Sequence, residues 1–156
     1  MMAHSAGALK PRLELGAAQL TALTLSARQR EPAILAAVNA ADGGYEWVQH
    51  EVTCESVGVT ATEREAIRRG DLGALSDADR ALVGFAAGIV ERPRGDDEDF
   101  VPLTKHLSDK EIVEVILVVG YYWTMARITC TLDVDIDKPL GTAVVDSSKQ
   151  YTAPPR

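Results

Sequence analysis

The chain has 156 residues, a hydrophobic share of 46% and a formal net charge of −7. That length favours one domain or one protomer of an oligomer, and the apolar share can build a core, which argues against disorder throughout. The acidic balance and the lack of a basic stripe argue against nucleic acid as a partner. The cluster Arg64, Arg68 and Arg69 lies among acidic residues and reads as a solvated helix face.

Residues 1–10 read as a loose, flexible tail without the apolar stretch of a signal peptide. A first helix is expected from Pro11 to Ala22. Ser26 offers a cap, but a proline is poorly placed deep in a helix, so the second helix is expected to begin near Glu31, with Pro32 in its first turn. Asp42-Gly43-Gly44 reads as a turn, and a third helix follows from Tyr45 to about Val57, ended by Gly58. Thr60-x-x-Glu63 is a capping box for a short helix stopping at Gly70. Ser76-x-x-Asp79 opens the next, which Pro93 and Gly95 end. A short helix is expected around Phe100 to His106.

Ser108-x-x-Glu111 starts the longest helix, which reaches about Thr131 and is apolar nearly all round. It is expected at the centre of the core. Its most apolar run, Ile112 to Ala126, is short for a membrane span and contains Glu114, so no membrane is expected. Glu114 should have a partner, anchoring a neighbouring helix or subunit. Residues 138–156 read as a C-terminal extension that wraps a neighbour or stays mobile. Capping boxes without hairpin signals give an all-α domain over residues 11–137, of about six helices.

Cys54 and Cys130 are the only cysteines. They are far apart and form no CxxC, which argues against a disulfide framework or zinc knuckle and for a cytoplasmic location. Both are expected to be buried and inert.

The chemistry concentrates in Tyr45-Glu46-Trp47-Val48-Gln49-His50. On a helix, Glu46 and His50 lie four apart and share a face. Glu31, in the preceding segment, can bring a second carboxylate to the same place. Two carboxylates and an imidazole suffice for general acid–base work on a small molecule. Histidine is the side chain that exchanges protons near neutral pH, so His50 is the expected donor or acceptor. The plain alternative is a core histidine that only stabilises its helix.

Glu31 either orients His50, acts as the base, or merely favours a helix start. Glu46, flanked by Tyr45 and Trp47, is expected to be desolvated and so available as an acid. Tyr45 and Trp47 are candidates for pocket walls. Arg127 is a candidate for gripping a substrate carboxylate, with a salt bridge to Asp133 or Asp135 as the plainer use. On paper Glu31, Glu46 and His50 also match a two-carboxylate, one-histidine metal set.

The chain resembles the carboxymuconolactone decarboxylase family, within the alkylhydroperoxidase-like fold. The resemblance is carried by Arg28-Gln29-Arg30-Glu31 before an apolar helix and by Tyr45-Glu46-Trp47-x-x-His50. It continues through Gly58-x-Thr60-x-x-Glu63 and through Glu111-Ile112-Val113-Glu114 leading to Val119-Gly120-Tyr121-Tyr122. It implies an all-helical bundle assembling as a homo-oligomer (dimer, trimer or hexamer), with sites near subunit interfaces. It also implies no metal and no cofactor.

Peroxidase members place cysteines seven and four residues before the histidine, positions held here by Gly43 and Glu46. The resemblance therefore implies the decarboxylase-type branch, a lyase acting on a small carboxylated cyclic or lactone substrate. Catalysis would rest on His50, Glu46 and Glu31. Tyr122 would point its hydroxyl at the site, with Tyr45, Trp47 and Arg127 as further substrate contacts.

The pattern departs where family members often carry an arginine, here Ala36, and where an asparagine is common, here Cys130. An isomerase, cyclase or dehydratase of a biosynthetic pathway on the same scaffold, or a non-catalytic ligand-binding member, are the alternatives. The Ala- and Arg-rich composition suggests a bacterial source.

Overall fold

The computed structural model describes residues 2–92, 94 and 96–152, with side chains described as far as 147. Among the described residues the chain is all-helical, with eight α-helices where about six were expected. They form two compact units. One holds the described residues of 1–23 and 142–156, the other residues 24–141.

In the first unit, a 3-10 turn at Met2–His4 precedes α1 (Ala6–Thr21), which packs with α8 (Ala143–Thr152). The expected loose tail is thus helical from Ala6. Pro11 lies inside α1, where its ring removes one backbone bond without ending the helix. Residues 143–152 of the C-terminal extension are likewise helical. Two helices that bury surface against each other hold more order than either would alone.

The second unit runs α2 (Ala27–Ala40), α3 (Gly44–Ser56), α4 (Ala61–Arg69), a 3-10 turn at Leu72–Ala74, α5 (Asp77–Glu91), α6 (Asp97–Leu103) and α7 (Asp109–Thr131). α2 begins at Ala27, four residues before the expected start. Ser26 and Gln29 form a full capping box whose satisfied donors outweigh the single bond lost at Pro32. Thr60 with Glu63 and Ser108 with Glu111 form two further reciprocal boxes. Ser76 accepts from the Asp79 N–H, but Asp79 is one methylene shorter than glutamate and bonds the Ser76 hydroxyl instead. Pro93 and Gly95, the expected end of α5, lie outside the described residues. Gly70 ends α4 at φ 71° and Gly58 follows α3 at φ 82°, backbone that glycine adopts without steric penalty.

The centre of this unit is α2, where α7 was expected. Every residue from Arg30 to Val38 is buried, and α3, α4, α5 and α7 surround the helix. Full burial of Ile34, Leu35 and Val38 contributes about 1.5–3 kcal/mol each. α7 buries one face, with Ile112, Val115, Val118, Val119, Tyr122 and Ala126, and leaves Val113, Ile116, Leu117 and Trp123 open. α7 has the expected length of 23 residues, but with a mean hydropathy of 1.4 over its best window it is, by length and composition, long and apolar enough to cross a bilayer, where its apolar run was read as too short. Glu114 on its buried face accepts from the backbone N–H groups of Thr24 (3.0 Å) and Leu25 (2.7 Å), anchoring the entry to α2.

Candidate active site

The capping box at Ser26 fixes the start of α2 and thereby aims Arg30 and Glu31 into the interior. Glu31 is 0% exposed. One of its oxygens accepts from Arg30 Nε and Nη2, both at 3.1 Å. The other lies 2.7 Å from Nδ1 of His50 on α3. Burial pushes the Glu31 carboxyl up, but His50 and Arg30 together outweigh it and hold the carboxyl below its usual range. An ionised Glu31 is an acceptor only, so Nδ1–H donates to it, and in the neutral imidazole the lone pair is then on Nε2. The edge of the Tyr122 ring from α7 closes on the imidazole, with centroids 4.5 Å apart and planes at 85°.

Glu46 does not pair with His50, although the two lie one turn apart. Its side chain is turned to α7, where the Thr129 hydroxyl sits 3.0 Å from each oxygen. Burial dominates its titration and raises the carboxyl. Its own backbone N–H, Thr129 and His50 only partly oppose that. The close approach of α3 to α7 depends on Gly43, since a Cβ there would stand 2.8 Å from the Ala126 Cβ. Glu46 therefore occupies an interior shared with Thr129, while His50 and Glu31 form a separate coupled pair.

The other candidates disperse. The Tyr45 hydroxyl donates to Asp137 at 3.0 Å, and burial followed by Asp137 raises its pKa. Trp47 is 5% exposed and lines a cavity of about 410 Å³ with Val38, Asn39, Gly44, Arg68 and Ile136. The Arg68 guanidinium stacks 4.4 Å over its ring, and Nε1 has no hydrogen-bond partner among the described residues. Arg127 donates to the carbonyl of Ala41, the C-cap of α2, rather than to Asp133 or Asp135. A cation there complements the helix dipole.

Cys54 is buried, and burial followed by the Glu31 charge drives its thiol far up, which leaves it inert. Cys130, expected to be buried, is exposed, with Sγ 3.3 Å from the Asp42 carbonyl. Two residues of the cluster were given no role from the sequence. Arg30 carried a signal, an arginine next to the glutamate in a helical segment. Thr129 carried none, since its partner is 83 positions away.

No family model and no curated protein matches the chain. Among solved structures it is similar to a protein of unknown function from Agrobacterium tumefaciens, whose description offers the antioxidant defence protein AhpD as a candidate assignment. The two are 19% identical, with a TM-score of 0.79 over 88% of this chain and 95% of that one. At that identity the likeness defines the fold. The chain is an all-helical protein of AhpD-like, that is alkylhydroperoxidase-like, architecture.

Proposed function

We propose that the chain is a cofactor-free acid–base enzyme of the carboxymuconolactone decarboxylase type, acting on a small carboxylated cyclic or lactone substrate. The carrying observation is the 2.7 Å contact between His50 Nδ1 and a buried, ionised Glu31 that Arg30 holds in place. A carboxylate on Nδ1 fixes the imidazole ring and stabilises the imidazolium that forms when Nε2 takes a proton. Glu46, raised by burial, is biased toward its protonated form one helical turn away and so supports a role as proton donor.

In the proposed reaction the bond from ring carbon to carboxylate breaks and carbon dioxide leaves. The electron pair moves into the conjugated lactone or enone. His50, protonated at Nε2 from solvent beforehand, then donates that proton to the ring carbon and is reprotonated by water for the next turnover. Arg30 and Glu31 position His50, Tyr122 confines its ring, and Tyr45, Trp47 and Arg127 stand farther from the proton transfer. Gly43 and Glu46 occupy the positions that the peroxidase branch gives to cysteines. The contact between Gly43 and Ala126 leaves no space for a thiol at the first of them, which supports the non-peroxidase reading. The protein is proposed to work as a homo-oligomer in the cytoplasm, without nucleic-acid or membrane partners.

A second reading is favoured by Ala36. It is 2% exposed in the middle of α2, so the position where family members often carry an arginine offers no cation for a second substrate carboxylate. On this reading the same pair performs an isomerase-, cyclase- or dehydratase-type proton transfer without loss of carbon dioxide.

The test is turnover of γ-carboxymuconolactone by the purified protein, following ultraviolet absorbance and carbon dioxide together. Turnover should fall by about 10²- to 10⁴-fold in His50→Ala and in Glu31→Gln. Turnover that survives His50→Ala would remove the mechanism. An absorbance change without carbon dioxide would select the second reading.

A further inference from the structure

α7 also borders a second cavity, one that neither His50 nor Tyr122 lines. Between α5, α6 and α7 lies a cavity of about 530 Å³, walled by Phe85, Ile89, Phe100, Ile116 and Trp123. Its floor is buried, with Phe85 at 4% and Val119 at 3% exposure, while Phe100 (42%), Ile116 (47%) and Trp123 (43%) stand as open walls. Phe85 and Phe100 tilt toward each other with centroids 6.1 Å apart. The volume lies in the range of small-molecule sites, and the lining is of the apolar, aromatic kind those sites use.

Two charged residues mark the rim, Arg94 and Glu91. Neither forms an ion pair with any described residue, whereas the neighbouring Arg92 is engaged by Asp96 and Asp99. Gly120 on α7 lies against the cavity, and a Cβ there would meet nothing within 4 Å.

We infer that this cavity binds a flat, apolar monocarboxylate, with its ring system between Phe100 and Trp123 and its carboxylate on Arg94. An unpaired guanidinium beside an aromatic cleft complements one carboxylate on an otherwise apolar body. Glu91 beside it disfavours a second anionic group on the ligand. No residue of the Glu31–His50 pair lines the cavity, so the inference stands apart from the proposed reaction.

The test is calorimetric titration of the full chain with 2-naphthoate and with the neutral 2-naphthamide. Wild type should bind naphthoate more tightly than the amide. Gly120→Leu fills the cavity and improves helix propensity, so the chain should stay folded while naphthoate affinity falls roughly tenfold or more. Arg94→Gln, at an exposed position, should weaken naphthoate by about tenfold and leave the amide unchanged. His50→Ala should bind naphthoate as wild type does.

Equal binding of acid and amide, insensitive to Arg94→Gln, would overturn the carboxylate assignment. Loss of binding in His50→Ala would place the probe at the other site. Absence of binding, with sedimentation showing that Gly120→Leu changes the association state, would show the cavity to be a contact between copies of the chain. Absence of binding with an unchanged association state would overturn the inference as well.

Discussion

Glu31 and Glu46 are both buried, both lie on helices of the same unit, and are driven in opposite directions. At Glu31 the desolvation that disfavours charge meets Arg30 and His50 in direct contact, and the carboxyl is held low. At Glu46 the same desolvation meets mainly a hydroxyl and a backbone N–H, and the carboxyl rises. Burial alone therefore does not set the role of a carboxylate. The partner within hydrogen-bond distance does, and the two environments separate an orienting anion from an acid.

The strongest way to break that contrast is Glu31→Ala, which leaves Arg30 buried without its carboxylate. It should cost about 3–5 kcal/mol, read as a lowered urea midpoint. The corresponding Glu46→Ala should cost clearly less, because it strands only a hydroxyl that also contacts the Met125 and Ala126 carbonyls. If both cost the same, the contrast fails.

The approach of α3 to α7 that buries Glu46 is tested by Gly43→Ala. The added methyl presses on Ala126 and should destabilise by about 1–3 kcal/mol. Ala126→Gly in the same chain should restore part of the loss. Smaller again is Thr129→Val, which removes the hydroxyl that lowers Glu46. It should cost about 1 kcal/mol and move the Glu46 titration, followed by carboxyl NMR, further upward.

The subtlest test is pH. Glu31 is depressed in the folded state, so its contribution is present above the ordinary carboxylate pKa of about 4 and is lost as pH falls through its folded value. Glu46 is raised, so its contribution is full below its unfolded pKa and is lost as pH rises through its folded value. Glu31→Gln should flatten the acid side of a stability profile, and Glu46→Gln the stretch above about pH 4. A profile unchanged in both would remove the assigned directions.

Much of this arrangement was legible in the chain itself. The all-helical class follows from capping signals and apolar spacing, which act within one turn, and the boxes at Thr60 and Ser108 formed as read. The sequence raised the possibility that Glu31, nineteen residues before His50 in the preceding helical segment, shares its site, and the packing of α2 with α3 brings the two into contact. Local rules failed where one local preference opposed another. Pro32 argued for a later start of the second helix, and the first helix was expected only from Pro11, yet one missing backbone bond was outweighed by the capping box at Ser26 in the first case and by packing with α8 in the second.

What the sequence alone determined is therefore local: helices, their caps, and the presence of two carboxylates and an imidazole on α2 and α3. Tertiary structure decided which carboxylate the imidazole meets, that α2 rather than α7 lies at the centre, and which side of α7 stays open around Gly120. Those outcomes depend on contacts between residues tens of positions apart, such as Glu46 with Thr129 and Glu114 with Leu25. No periodicity encodes them, because packing chooses among helix faces that are almost equally apolar.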